Sequence, residues 1–168
     1  MTNSEKTTPS NFKIRYAKPN HIDAIFEIEK KCFPSLIRYS KQELVYLILQ
    51  SNSICLIETI GEVVRAFLIV NFRAGSLIGR IVTIDVDPVF QNRGIGLRLL
   101  EKAESDMRQR GMRWSQLEVA ETNNVAIALY TKAGYRFKEM IENYYKSKQH
   151  GTCNAIRMIK SLSQNSLS

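Results

Sequence analysis

The stretch Gln91-Asn92-Arg93-Gly94-Ile95-Gly96 stands between a short apolar run, Arg80 to Val86, and a segment carrying Leu97, Leu100, Ala103 and Met107 at helical spacing. With Asp87-Pro88 as the intervening turn, the order reads strand, glycine-rich turn, amphipathic helix. The first N–H groups of such a helix have no intrahelical acceptor, and the helix dipole adds partial positive charge there. A phosphate or pyrophosphate is the natural ligand of that end. The missing side chains at Gly94 and Gly96 let oxygens approach the backbone. The turn is not a P-loop, which requires G-x-x-x-x-G-K-[ST]. It is not a dinucleotide fingerprint either, because Leu99 stands where the third small residue would be. A diphosphate-bearing cofactor is the expected partner.

A second segment lies downstream. Leu117-Glu118-Val119 reads as a short strand ending in polar Glu121-Thr122-Asn123. Asn123 or Thr122 then caps a helix that runs through Leu129 and Tyr130 and closes at Gly134, before another strand. The turn, Q-x-x-G-x-G, resembles the acyl-coenzyme-A loop of the GNAT acetyltransferase superfamily. The run N-x-x-A-I-x-L-Y-x-K-x-G-[FY], Asn123 to Tyr135, resembles the second cofactor motif of the same superfamily. Both occur in the right order, and the resemblance spans about residues 12 to 160. It is nearest to the branch that acetylates protein N-termini, of the ribosomal-protein-alanine type.

Outward from these motifs, the 168 residues suffice for one domain burying roughly two-thirds of its unfolded surface. A hydrophobic share of 44% and a charged share of 24% are those of a soluble globular chain. The longest apolar run, Leu44 to Leu49, falls far short of the ~18 residues a membrane span needs. Residues 1–11 are polar, without the apolar core of a secretory signal, and read as a disordered tail. Residues 161–168, rich in serine, read as a flexible C-terminal tail, leaving the domain at 12–160. Cys32, Cys55 and Cys153 are odd in number and lack C-x-x-C spacing, so structural thiols of a reducing cytoplasm are expected, with no metal site. The net charge of +8 is dispersed rather than clustered, which argues against nucleic acid as a direct ligand.

Phe12, Ile14 and Tyr16 alternate as on a strand, and Asn20 is placed to cap a helix bearing Ile22, Ile25, Phe26 and Ile28. Ser40 and Glu43 form a capping box for a second helix. Ser53–Thr59 and Glu62–Phe72 make a hairpin across Ile60-Gly61, and strands at Tyr135–Met140 and Cys153–Lys160 close the chain. The elements run β-α-α-β-β-β-α-β-α-β-β, an α/β (α+β) domain with four helices and a mostly antiparallel sheet. The resemblance adds the topology: the strands before the phosphate turn and around Glu118 are parallel and splay apart. It places a pantetheine arm in the opening against the backbone of Ile84, Asp85 and Val86.

It also supplies roles. Acetyl transfer to an amine requires a neutral amine, a stabilised oxyanion and a protonated leaving thiolate. Glu118, twelve positions before Tyr130, occupies the place of the general base and Tyr130 that of the general acid. Their alternatives are a solvent-facing strand residue and a packed phenol; Asp85 is a second candidate base. Gln91, Asn92, Arg93, Gly94, Ile95, Gly96 and Leu97 form the phosphate turn, with Arg98 and Lys132 as further candidate phosphate contacts. Asn123 bonds a pantetheine amide or caps its helix. Phe33, Tyr39, Tyr144 and Tyr145 match walls of a peptide slot, or pack on the sheet as ordinary aromatics. The segment Phe33–Ser40 is longer than the family pattern, Cys153-Asn154 replace an acidic pair, and Arg65 stands at a common glycine. The acceptor so implied is a protein N-terminal α-amine, a ribosomal protein among the candidates, with acetyl-CoA as cosubstrate. A small amine (polyamine, amino acid or aminoglycoside) and a non-catalytic basic module are the alternatives.

Overall fold

The computed structural model describes residues 11–163; residues 1–10 and 164–168, which hold most of both expected tails, lie outside the described residues. The strands are β1 (Phe12–Tyr16), β2 (Ser53–Ile60), β3 (Val63–Phe72), β4 (Ile78–Val86), β5 (Trp114–Ala120), β6 (Arg136–Ile141) and β7 (Ala155–Ser161). The helices are α1 (Ile22–Cys32), α2 (Lys41–Leu49), α3 (Ile95–Gln109) and α4 (Asn124–Lys132). This is the expected order of elements.

One seven-stranded sheet has the order β1-β2-β3-β4-β5-β7-β6, and only the β4–β5 pair is parallel among the described strands. Strands β2 and β3 are apolar on both faces because both faces are covered. Leu56, Leu68 and Val70 join α3 on one side, with Leu99, Leu100 and Met107. Cys55, Ile57, Phe67 and Ile69 meet α1 and α2 on the other, with Ile25, Ile28 and Leu44.

The parallel pair parts as expected. β4 and β5 are in register only from Ile78 opposite Trp114 to Ile81 opposite Leu117. Beyond that point β4 stays with β3 as far as Val86, and β5 stays with β7 as far as Ala120. A bulge in β4 between Ile81 and Thr83, opposite Ile69 and Val70, marks the start of the divergence. An extra residue bends its strand, and here it opens the sheet.

Two local expectations are corrected. Asn20 does not cap α1: Pro19–His21 forms a 3-10 turn instead, with the Lys18 N–H donating to His21 Nδ1 at 2.9 Å. Proline in the first turn favours that start. The last strand also starts and ends later than expected. β7 continues through Ser161, and Leu162 is 2% exposed, its N–H donating to the Arg113 carbonyl at 2.8 Å. Serine-rich composition concealed one apolar anchor.

The capping box at α2 forms as read: the Glu43 N–H donates to Ser40 Oγ at 3.2 Å, and the Ser40 N–H donates to Glu43 Oε2 at 2.7 Å. Ser40→Ala is expected to lower the unfolding free energy by about 1 kcal/mol, measured by urea titration.

Candidate active site

The turn after β4 is shaped by backbone conformation. Asp87 accepts from the Val89 N–H at 3.1 Å and pairs with Lys31, which seats the 3-10 turn Pro88–Phe90. Asn92 and Gly94 then adopt left-handed φ values of 62° and 76° before α3 begins. The first bond within the helix runs from the Arg98 N–H to the Gly94 carbonyl at 3.2 Å. The N–H groups of Ile95, Gly96 and Leu97 therefore have no partner inside the helix. They line a groove of about 410 Å³ between the end of β4 and α4. Gly96 has a packing role as well: a Cβ there would stand 3.2 Å from Leu129 Cδ2, so glycine lets α3 and α4 close on each other.

Arg98 is not free for phosphates. Its Nε and Nη2 donate to the two oxygens of Glu58 at 2.9 and 3.1 Å, and its Nη1 donates to the Arg93 carbonyl at 2.9 Å. Glu58 is fully buried and also holds Arg65, the residue standing at the common glycine. Arg98 thus ties the turn to the sheet interior. The Arg93 guanidinium lies over the Phe90 ring, 5.6 Å from its centroid, at the turn's surface. Lys132 is exposed in the last turn of α4 and does not line the groove.

The groove continues into the opening between β4 and β5, a cavity of about 140 Å³; Ile84, Asn123, Ala126 and Tyr130 line both. The Asp87 N–H donates to the Arg65 carbonyl, so backbone alternation turns Asp85 towards β3 and turns Ile84 and Val86 into the opening. The Val86 carbonyl there accepts the Cys32 thiol at 3.4 Å and the Gln91 side-chain amide at 3.2 Å. Burial, with the Asp85 and Glu29 charges nearby, pushes the Cys32 thiol up to about 12.

Tyr130, 8% exposed, sits where groove and cavity meet. Burial, the Asp85 charge and Tyr145 raise its pKa, so the phenol keeps its proton. Asn123 does cap α4, accepting from the Ala126 N–H at 3.3 Å, while its Nδ2 faces His150 Nε2 at 3.2 Å. Glu118 faces the cavity from β5 with its side chain 4% exposed. Its Oε2 takes Arg80 Nε at 2.9 Å, and its Oε1 takes Arg157 Nε at 3.0 Å and the Gln116 amide at 3.2 Å. Both oxygens of the expected base are occupied by donors.

The loops around Tyr39 and Tyr145 approach one another, and Phe33 lines the cavity. The Tyr39 N–H donates to Glu29 Oε1 at 2.8 Å. Tyr144 and Tyr145 stack edge to face with centroids 4.9 Å apart, and Arg80 Nη2 donates to the Tyr144 hydroxyl at 2.6 Å. Asn154 does a pinning job where an acidic residue was expected: its Oδ1 accepts from the Asn143 N–H and its Nδ2 donates to Glu121. The residues missed by sequence reasoning are Arg80, Arg157, Gln149, His150 and Glu29. Arg157 alternates with apolar Ile156 and Met158, a legible signal for one face of a strand. Its pairing with Glu118 across β5 and β7 carries no local signal.

The Acetyltransferase (GNAT) family pattern matches residues 22–135. A [ribosomal protein bS18]-alanine N-acetyltransferase of Salmonella typhimurium is 42% identical over 66 residues, which cover 39% of this chain and 45% of that one. The match thus spans less than half the length of that curated relative. The crystal structure of the ribosomal-protein-S18-alanine N-acetyltransferase from Escherichia coli superposes with a TM-score of 0.80 at 26% identity, covering 90% of this chain and 94% of that one. A Bacillus subtilis acetyltransferase solved in complex with CoA shares the fold, with a TM-score of 0.74 at 16% identity over 90% of this chain and 99% of that one.

Gly94→Glu puts a carboxylate and a strained left-handed residue at the turn that opens α3. Titration calorimetry with acetyl-CoA should show the binding heat abolished; an unchanged isotherm would remove this turn from cofactor binding.

Proposed function

As the chain belongs to the GNAT acetyltransferase family, we propose that it moves an acetyl group from acetyl-CoA to the α-amine of a protein N-terminus. The observation that carries this reading is the single passage from the α3 amides to the parted strands, with the Tyr130 phenol at the junction. The residues present fit the cofactor. Glycine and amides without helical partners stand where a pyrophosphate would sit, and β4 backbone that β5 no longer pairs, with the Val86 carbonyl held by Cys32 and Gln91, stands where amide groups of a pantetheine arm need partners.

Acetyl-CoA supplies an activated acyl thioester. The N–H groups of Ile95, Gly96 and Leu97 hold its phosphates, and the Ile84 and Val86 backbone orients its arm. N–H groups of the same stretch of β4 face the developing oxyanion. Tyr130, kept protonated by its burial, donates to the leaving sulfur. The proton shed by the amine goes to a carboxylate of the cavity wall, where Glu118 and Asp85 both stand.

Two considerations support an N-terminal acceptor. An α-amine has a pKa of about 7.7–8.0 against about 10.4 for lysine, so near neutrality a far larger fraction is already nucleophilic. The acceptor side also lies between two loops bearing Tyr39, Tyr144 and Tyr145, a shape suited to an extended chain. The relatives named for ribosomal-protein alanine make a ribosomal protein the first acceptor to try.

Thiol release over peptides varied in their first three residues, with lysine peptides and polyamines as controls, tests the acceptor. Peptides with a free α-amine should turn over and α-blocked lysine peptides should not; preference for polyamines would replace this reading. Tyr130→Phe should lower kcat by about 10²-fold or more with little change in acetyl-CoA affinity.

A further inference from the structure

The reading above leaves open which carboxylate of the cavity takes the proton, and one candidate, Asp85, belongs to a buried pair. Asp85 is 4% exposed and lines the cavity beside Tyr130 and Glu118. Glu29 of α1 is 1% exposed and lies beside Asp85. Its Oε1 is taken by the Tyr39 N–H, but its buried Oε2 has no donor among the described residues. Two carboxylates so placed do not both ionise, and a shared proton supplies the donor that Oε2 lacks. Burial, then the Glu29 charge, raises Asp85 well above the usual carboxylate range, while the Thr83 hydroxyl donates to its Oδ2 at 3.0 Å.

The pair keeps one negative charge at the cavity floor. Glu118 is offset by Arg80 and Arg157, and Asp87 by Lys31. Of these carboxylates, only the pair makes no salt bridge among the described residues, Arg38 being its nearest cation. A monocation such as an α-ammonium matches that charge; a polyamine, with several, does not. The groups facing the pair are Lys31 and Cys32 of α1, Arg38 and Tyr39 of the following loop, and Tyr130 from α4. Glu43 of α2 and Asp87 beyond β4 complete its surroundings.

We propose that the Asp85–Glu29 carboxyl pair receives the α-ammonium of the acceptor and removes its proton, with Glu118 acting as a positioning residue of the cavity wall. This rests on the N-acetyltransfer reading and names the base within it. The ammonium gives one proton to the pair, which becomes neutral. The freed lone pair forms the bond to the acetyl carbon as the carbon–sulfur bond breaks. The sulfur takes the Tyr130 hydroxyl proton, and the second proton shed by nitrogen restores that phenol. The pair later returns its proton to solvent.

The test is thiol release by the full chain, with acetyl-CoA and an acceptor peptide, across pH. Asp85→Asn should lower kcat about 10²-fold at neutral pH. Its deficit should close as pH passes the acceptor's own pKa of about 7.7–8.0, where the amine arrives already neutral. The calorimetric heat of acetyl-CoA binding should match wild type and so report a folded site. Glu29→Gln, whose amide donates to Asp85 in place of the shared proton, should move the acid limb of the profile to lower pH. Glu118→Gln should lose less than Asp85→Asn. A deficit in Asp85→Asn that is the same at every pH, or a loss in Glu118→Gln of equal size, overturns the assignment. Wild-type chain that binds acetyl-CoA yet acetylates no amine overturns the underlying reading, and the pair's role with it.

Discussion

The parting of β4 from β5 is the constraint from which the site follows. A parallel pair inside a sheet has to satisfy its backbone groups, and here four residues on each strand do so before the two diverge. Divergence costs no pairing on the outer edges, since β3 and β7 continue to hold β4 and β5. It leaves an inner edge of main-chain donors and acceptors within the body of the domain. Such an edge invites a ligand that brings its own amides, and the adjoining N-terminus of α3 invites one that brings phosphates. Both demands are met by one elongated molecule, and the continuity of groove and cavity gives it a single path.

Around that path the fold handles four buried acids in three arrangements. Glu58 and Glu118 are each held by two arginines, whereas Asp85 and Glu29 lean on one another. Ion pairing fixes the first two in place and fills their oxygens. The third arrangement, two carboxyl groups facing each other with burial opposing their ionisation, is able to change charge, which is a property a reaction can use. The distinction lies in neighbours rather than in residue type.

That is also where legibility in the sequence ends. The glycine-bearing turn before α3, the Ser40 box and the Asn123 cap were readable because each is closed within a few residues of itself. The order of elements was readable from periodicity, and the parting of the strands from the resemblance. Arg80 and Arg157 reach Glu118 from 38 and 39 residues away, and Glu29 meets Asp85 from another layer of the fold. Contacts of that range depend on strand register and helix placement, which no local window encodes. The same limit explains Leu162, whose burial is decided by α3 and the start of β5 rather than by its serine neighbours.

The strut from Glu58 through Arg98 to the Arg93 carbonyl has a thermodynamic meaning of its own. A glycine-bearing loop left to itself would sample many shapes and would have to be ordered by whatever it binds, at a conformational cost. Anchored to a carboxylate inside the sheet, this one is held in shape before any nucleotide arrives. Recognition there approaches lock-and-key, and the rigidity that makes it so is borrowed from the β2–β3 hairpin rather than from the loop.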